Sequence, residues 1–216
     1  MKKEKYFSKS IINIVGNEFH RYLEDLELLR HSQLFDVSRS ALLILDMQGY
    51  FLSPLSHAYI LSAPAIIPNI LSLIKNFTDA NRPIIFSQHI NSVNLSGMME
   101  FWWKDLITSD SNQAQIIDNF NIDQGIILIK KHYDAFLETE LDKLLMLNDV
   151  SSIVICGVMT NLCCETTARA AFMHNYKVFF TIDGTATYNR KFHEATILNL
   201  AHGFSRPVLC SELFGE

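Results

Sequence analysis

From residue 40 onward the chain alternates short, unbroken apolar runs with longer stretches in which apolar residues recur every three or four positions. Ala41-Leu-Leu-Ile-Leu45 is continuous and ends in Asp46; such a run marks a strand buried on both faces. Ile66, Ile70, Leu73, Ile74 and Phe77 then fall on one helical face, with Pro64 and Pro68 close to its start. After Asn81-Arg-Pro83 comes a second strand, Ile84-Ile-Phe86, and Ile126-Ile-Leu-Ile129 is a third. Leu137, Leu141, Leu144 and Leu145 form another helical stripe. A fourth strand at Ile153-Val-Ile155 leads to a helix carrying Ala168, Ala171 and Phe172, and a fifth spans Val178–Ile182. A helix near 191–202 and a last strand at Val208-Leu209 complete the series. Strand–helix alternation with uniformly apolar strands predicts a parallel sheet covered by helices on both faces. Ligands of such sheets sit at the carboxyl ends of the strands. Residues 1–39 read differently: they are charge-rich, and Phe19, Tyr22, Leu23, Leu26 and Leu29–Arg30 predict one amphipathic helix packed outside the main domain or on a partner subunit. The expected organisation is a helical extension over 1–39 and one catalytic-size domain over 40–216.

Composition narrows the class. A length of 216 residues suits a single α/β domain, and a chain of this size buries about 70% of its unfolded surface without a staple. Eighteen basic against 23 acidic residues give a net charge of −5, which argues against a nucleic-acid partner, because phosphate binding needs a concentrated basic face. No apolar run approaches the ~18 residues of a membrane span, and the basic opening is followed by no cleavable apolar segment, so no membrane or secretory role is expected. Cys156, Cys163, Cys164 and Cys210 show no CxxC spacing. Reduced thiols in a cytoplasmic protein are the expectation, with neither a disulfide framework nor a zinc site.

Three strand ends carry reactive groups. The first ends in Asp46-Met-Gln48, the third in Lys130-Lys-His-Tyr133, and the fourth runs into Cys156-Gly-Val-Met-Thr160-Asn-Leu-Cys163-Cys164, where a helix begins. An acid, a cation and a thiol on one sheet edge suit nucleophilic catalysis. A helix N-terminus is expected to lower a thiol's pKa, and its free N–H groups can hold a developing oxyanion. Burial at a strand end is expected to raise the pKa of Asp46, with Lys130 opposing.

Three motifs, Leu42-Leu-Ile-Leu-Asp46-Met-Gln48, Lys130-x-x-Tyr133-x-Ala135-Phe136 and Gly157-Val-Met-Thr-Asn-Leu-Cys163-Cys-Glu-Thr-Thr167-Ala, occur in an order and spacing that resemble the isochorismatase-like cysteine hydrolase superfamily over residues 38–215. The resemblance implies a three-layer αβα sandwich around a mostly parallel, six-stranded, Rossmann-like sheet. It implies Asp46 as base, Lys130 as cationic partner and Cys163 as nucleophile, with Cys164 and Lys131 as bystanders. It further implies a cis peptide at Val158–Met159, which would aim the N–H groups of Met159 and Cys163 at the substrate oxygen. The family's members commonly form homodimers or larger homo-oligomers and act on small molecules. Gln48, Gln88, Trp102, Trp103 and Tyr133 are the expected substrate-binding residues.

Departures from the family pattern shape the chemistry. The nicotinamidase branch holds a metal through Asp-x-His after strand two, where this chain has Gln88 and Ile90; no metal and no other cofactor are expected. His89 and His132 are read as hydrogen-bonded polar neighbours. The isochorismatases resemble this chain in Asp46-Met-Gln-x-Tyr-Phe51, in Gln88 and in a Trp-containing segment, but carry Gly where this chain has Cys163. The thiol makes cleavage of an amide or ureido C–N bond through a thioester the first reading, and vinyl-ether hydrolysis with Asp46 as acid the second. A non-catalytic binding module is the third, and neither GxGxxG after the first strand nor a P-loop supports it.

Overall fold

The computed structural model describes residues 2–29, 34–103 and 105–214. Its elements in order are α1 (Ile12–Asp25), β1 (Ser40–Leu45), α2 (Gly49–Leu52), α3 (Ala63–Asp79), β2 (Ile84–His89), α4 (Met98–Trp103), β3 (Ile126–Lys130), α5 (Leu141–Leu147), β4 (Ser152–Val158), α6 (Glu165–Met173), β5 (Lys177–Ala186), α7 (Arg190–Gly203) and β6 (Arg206–Val208). A five-residue π-turn, Thr160–Cys164, joins β4 to α6. The six strands pair in the order β3-β2-β1-β4-β5-β6, and all five pairings are parallel. This is the expected six-stranded αβα sandwich, with every strand parallel.

Alternation across the pleat builds the two cores. Leu42 and Ile44 of β1, with Val154 and Cys156 of β4, face the layer formed by α3, whose Ile66, Ile70, Leu73, Ile74 and Phe77 all point inward. Leu43 and Leu45, with Ile153 and Ile155, face the layer of α5, α6 and α7. Leu42, Leu43, Ile44 and Leu45 are each at most 1% exposed, and each contributes roughly 1.5–3 kcal/mol of transfer free energy. The helical extension contributes Phe19 and Leu23 of α1 to this second core, and Tyr6 and Phe7 are buried ahead of it. Tyr22 and Leu26 of the expected apolar stripe are instead half-exposed, and Arg30 lies outside the described residues.

Two strands differ from the pattern reading. β3 is an edge strand on which Ile126, Ile127 and Ile129 are exposed; an apolar run does not distinguish an edge from a centre. β5 continues four residues past Ile182 through Asp183-Gly184-Thr185-Ala186, although Asp-Gly reads as a turn. The Asp183 carboxylate accepts from Cys210 N at 2.8 Å and Asn69 Nδ2 at 2.9 Å, so its burial in the strand is compensated.

The chain starts mid-sheet at β1, builds outward to β3, and returns to place β4 beside β1. The strand order therefore reverses between β1 and β4, and the crevice at their carboxyl ends is the natural ligand site. Gly157 allows the two strand ends to meet. Its φ is +110°, and a Cβ there would lie 2.1 Å from the Leu45 carbonyl oxygen, so no other residue fits.

Candidate active site

Asp46 leaves β1 with φ +52°, the left-handed region that a short polar side chain tolerates. Its Oδ1 accepts from Ser87 Oγ at 2.5 Å, and its N–H donates to the same oxygen at 3.1 Å. Lys130 leaves β3, in register with His89 of β2, and reaches across that strand to bring Nζ within 2.8 Å of Asp46 Oδ2. Both side chains are fully buried. Lys130 Nζ also donates to the His132 carbonyl at 2.9 Å, and lies 3.2 Å from His89 Nδ1 and 3.4 Å from Cys163 Sγ. Lys130 is thus the partner of Asp46 Oδ2, and Cys163 Sγ is within 4.8 Å of the carboxylate. The triad expected from sequence is thus brought together at the switch point.

The electrostatics of this cluster differ from the sequence expectation in two respects. Burial alone would raise the Asp46 pKa, but the adjacent Lys130 ammonium outweighs it and holds the carboxyl below its ordinary value. Burial likewise pushes Lys130 down, yet Asp46 raises it above the ordinary lysine value. The Cys163 thiol is not acidified: burial and the neighbouring Asp46 carboxylate push its pKa up, against the opposing pull of Lys130. The resting site is therefore a carboxylate, an ammonium and a neutral thiol. His89 is driven down to about 4 by burial and by Lys130, and so is neutral at pH 7. With Nδ1 facing the ammonium, Nε2 carries the proton and donates to Asn91 Oδ1 at 2.9 Å.

The adjacent thiols point to opposite sides. Cys163 lines a cavity of about 310 Å³. Cys164 is fully buried in the core with Leu43, Phe180 and Ala168. The same separation holds for the lysines, since Lys131 is exposed. The Val158–Met159 peptide is cis, as the family resemblance implies. Met159, Tyr133 and Trp103 line the cavity, with Trp103 Nε1 donating to Tyr133 Oη. Trp102 stands outside it on a neighbouring apolar groove and is 69% exposed.

Gln48 and Gln88 do not reach the cavity. Gln48 is fully buried: Nε2 donates to the carbonyls of His89 at 3.0 Å and Ala114 at 2.7 Å, and Oε1 accepts from His89 N at 2.8 Å. Gln88 Nε2 donates to the Ala114 carbonyl at 2.8 Å. The two amides pin the 112–116 segment against the ends of β1 and β2, turning toward the Ala114 carbonyl and not into the cavity. The cavity holds residues that the sequence reading passed over. Asn91 fixes the His89 ring, and Tyr50 Oη, at the mouth, donates to Asp105 Oδ2 at 2.9 Å and lies 3.0 Å from His57 Nε2. Asp105 joins His57 and Tyr50 across 48 and 55 residues, so no local spacing announces its place in the site.

Asp46, His89 and Cys163 present ligand atoms within 4.8 Å of one another. The grouping does not fit a divalent ion, because the Lys130 ammonium lies 2.8–3.4 Å from all three and is already their shared cation.

The Isochorismatase domain model matches residues 40–212. The chain belongs to the isochorismatase family. It is 40% identical over 179 residues to nicotinamidase 3 of Arabidopsis thaliana, covering 81% of this chain and 86% of that protein. It is 29% identical over 182 residues to enterobactin synthase component B of Escherichia coli K12, covering 83% of this chain but only 64% of that protein's length. Among solved structures, a cysteine hydrolase from Pseudomonas syringae pv. phaseolicola 1448A superposes with a TM-score of 0.80 over 85% of this chain and 96% of its own, at 24% identity. The protein is an isochorismatase-family hydrolase with Asp46, Lys130 and Cys163 adjacent in its site.

Proposed function

We propose that this hydrolase cleaves the C–N bond of a small, uncharged aromatic amide through a Cys163 thioester. The observation that carries the reading is the thiol at the cavity floor beside a buried carboxylate–ammonium pair. On substrate binding, Asp46 takes the thiol proton as Sγ forms a bond to the carbonyl carbon. The tetrahedral oxyanion is received by the N–H groups of Met159 and Cys163. Collapse breaks the C–N bond, and Asp46 returns the proton to the departing amine. Water then attacks the thioester, Asp46 accepts its proton, and the carboxylate product leaves as Cys163 recovers its proton. Lys130 compensates the carboxylate in the resting state and stabilises the thiolate as it forms.

Charge supports an amide over isochorismate. None of the described residues lining the cavity is Lys or Arg, whereas Asp105 adds a carboxylate at its mouth. A dicarboxylate would enter without a counter-ion. The walls are instead aromatic and apolar, formed by Phe51, Trp103, Tyr133 and Tyr188 with Met99 and Leu162, as suits a flat neutral ring. The 40% identity to a nicotinamidase makes nicotinamide the first probe. The exposed Met98, Phe101 and Trp102 of α4 are the surface on which we expect homo-oligomers to form.

The test compares turnover of nicotinamide, small ureido compounds and isochorismate by the parent and by Cys163→Ala. Amide hydrolysis that falls by several orders of magnitude in Cys163→Ala supports the reading. Isochorismate turnover that persists in Cys163→Gly would transfer it to vinyl-ether chemistry.

A further inference from the structure

Residues Lys3 to Phe7 lie ahead of the matched family domain, yet they touch both loops that close one side of the catalytic cavity. Toward the first loop, Lys3 Nζ donates to the His57 carbonyl and, at 2.9 Å, to that of Tyr59. The Tyr6 and Phe7 amides both donate to Ser62 Oγ at 3.0 Å. Toward the second loop, Glu4 N donates to the Tyr188 carbonyl at 2.8 Å, and Glu4 Oε2 accepts from Arg190 N at 3.1 Å. The Lys3 ammonium sits 4.6 Å from the centre of the Tyr188 ring. His57 and Tyr188 are walls of the cavity.

The same residues reach the nucleophile's turn by two routes. Tyr6 Oη accepts from Thr187 N at 2.9 Å, and Thr187 Oγ1 donates to Asn161 Oδ1 at 2.5 Å. The rings of Tyr6 and Phe7 each lie 5.2 Å from that of His193, whose Nδ1 is 3.1 Å from Thr160 Oγ1. Thr160 and Asn161 open the π-turn that ends in Cys163-Cys164. Tyr6, Phe7, Thr160, Thr187 and His193 are each no more than 5% exposed, so water does not replace these contacts when one is lost.

We propose that Lys3–Phe7 form a positioning strap. The Lys3 end sets the distance between the His57 and Tyr188 walls, and Tyr6 with Phe7 holds the turn that aims Cys163. The proposal rests on the reading of Cys163 as nucleophile. The physical reason is that a site held by loops loses rate steeply when its groups shift, about 100-fold for an ångström. A strap bonded to both loops removes that freedom.

The two ends give separable signals in the full-length protein. Lys3→Met should raise KM for nicotinamide about 3–10-fold with kcat within about twofold, and Lys3→Arg should restore it. Tyr6→Phe keeps the ring but removes the acceptor for Thr187 N; it should lower kcat and slow iodoacetamide alkylation of Cys163, read by peptide mass, by about 3–30-fold each. The alkylation arm needs no substrate, so it judges the strap even if nicotinamide is not hydrolysed. Full turnover by Cys163→Ala would sink the functional reading alone. The strap is overturned if alkylation and KM stay within about twofold of the parent in both variants. It is equally overturned if the losses disappear once rates are scaled to the folded fraction, or if Lys3→Arg is as impaired as Lys3→Met.

Discussion

Replacing Lys130 with Met removes the one cation that the buried carboxylate has at 2.8 Å while keeping a side chain of similar length. Both partners are fully buried, so solvent does not screen what is left. Breaking a buried pair from one side costs about 3–5 kcal/mol. In a domain of this size 1 kcal/mol moves Tm by about 2–4 °C, so the variant should melt roughly 6–20 °C lower at pH 8. The pH dependence carries a sign. In the parent, Asp46 titrates below its ordinary value; its stabilisation is complete above the unfolded pKa of ~3.9 and is lost only as pH falls through the lower folded pKa. Between pH 5 and 8 it adds no slope. Without Lys130, burial dominates and the folded pKa rises above the unfolded one. The protonated acid then stabilises the fold at low pH, and this is lost as pH climbs through the raised pKa. The difference in Tm between Lys130→Met and parent should therefore widen from pH 5 to pH 8. The double variant with Asp46→Asn should recover most of it, because no charge is left to strand. Circular dichroism melts at the two pH values are sufficient. A Lys130→Met protein that melts within about 2 °C of the parent at both would refute the claim that this pair is buried and mutually dependent.

Other outcomes follow from the same geometry. Gly157→Ala puts a Cβ 2.1 Å from the Leu45 carbonyl at φ +110°; it should cost more than about 4 kcal/mol or yield insoluble protein, checked by expression and denaturant melts. Because Lys130 holds Asp46 below its ordinary value and His89 stays neutral above about 4, kcat/KM should be flat from pH 5 to 8. An acid limb with a midpoint near 6 would contradict that assignment. Since the Lys130 ammonium fills the space among Asp46, His89 and Cys163, activity should survive prolonged dialysis against EDTA. Loss on chelation with recovery on adding Zn²⁺ would contradict the fit argument.

The layers and the triad were legible because their signals are local. β1 is an unbroken apolar run ending at Asp46, α3 is a clean stripe, and the thiol follows a strand into a helix. What escaped depends on contacts between distant segments. Continuous apolar runs mark β1, β3 and β4 alike, yet β3 lies at an edge because nothing in its own residues records how many neighbours it acquires. Asp183-Gly184 extends β5 because Cys210 and Asn69 arrive to satisfy the carboxylate. Gln48 and Gln88 occupy positions next to the site, but only the folded Ala114 carbonyl explains why their amides turn to the loop. The thiol's pKa was misjudged for the same reason. A helix N-terminus lowers it in isolation, whereas burial beside Asp46 raises it.

The most direct test of the account is to trap the acyl group. The parent enzyme is mixed with nicotinamide, or with a slow amide analogue, quenched in acid within one turnover, and digested for peptide mass analysis. The expected product is a thioester adduct on Cys163, absent from Cys163→Ala and retained in Cys164→Ala. An adduct on Cys164, or full amide turnover by Cys163→Ala with no adduct anywhere, would contradict it.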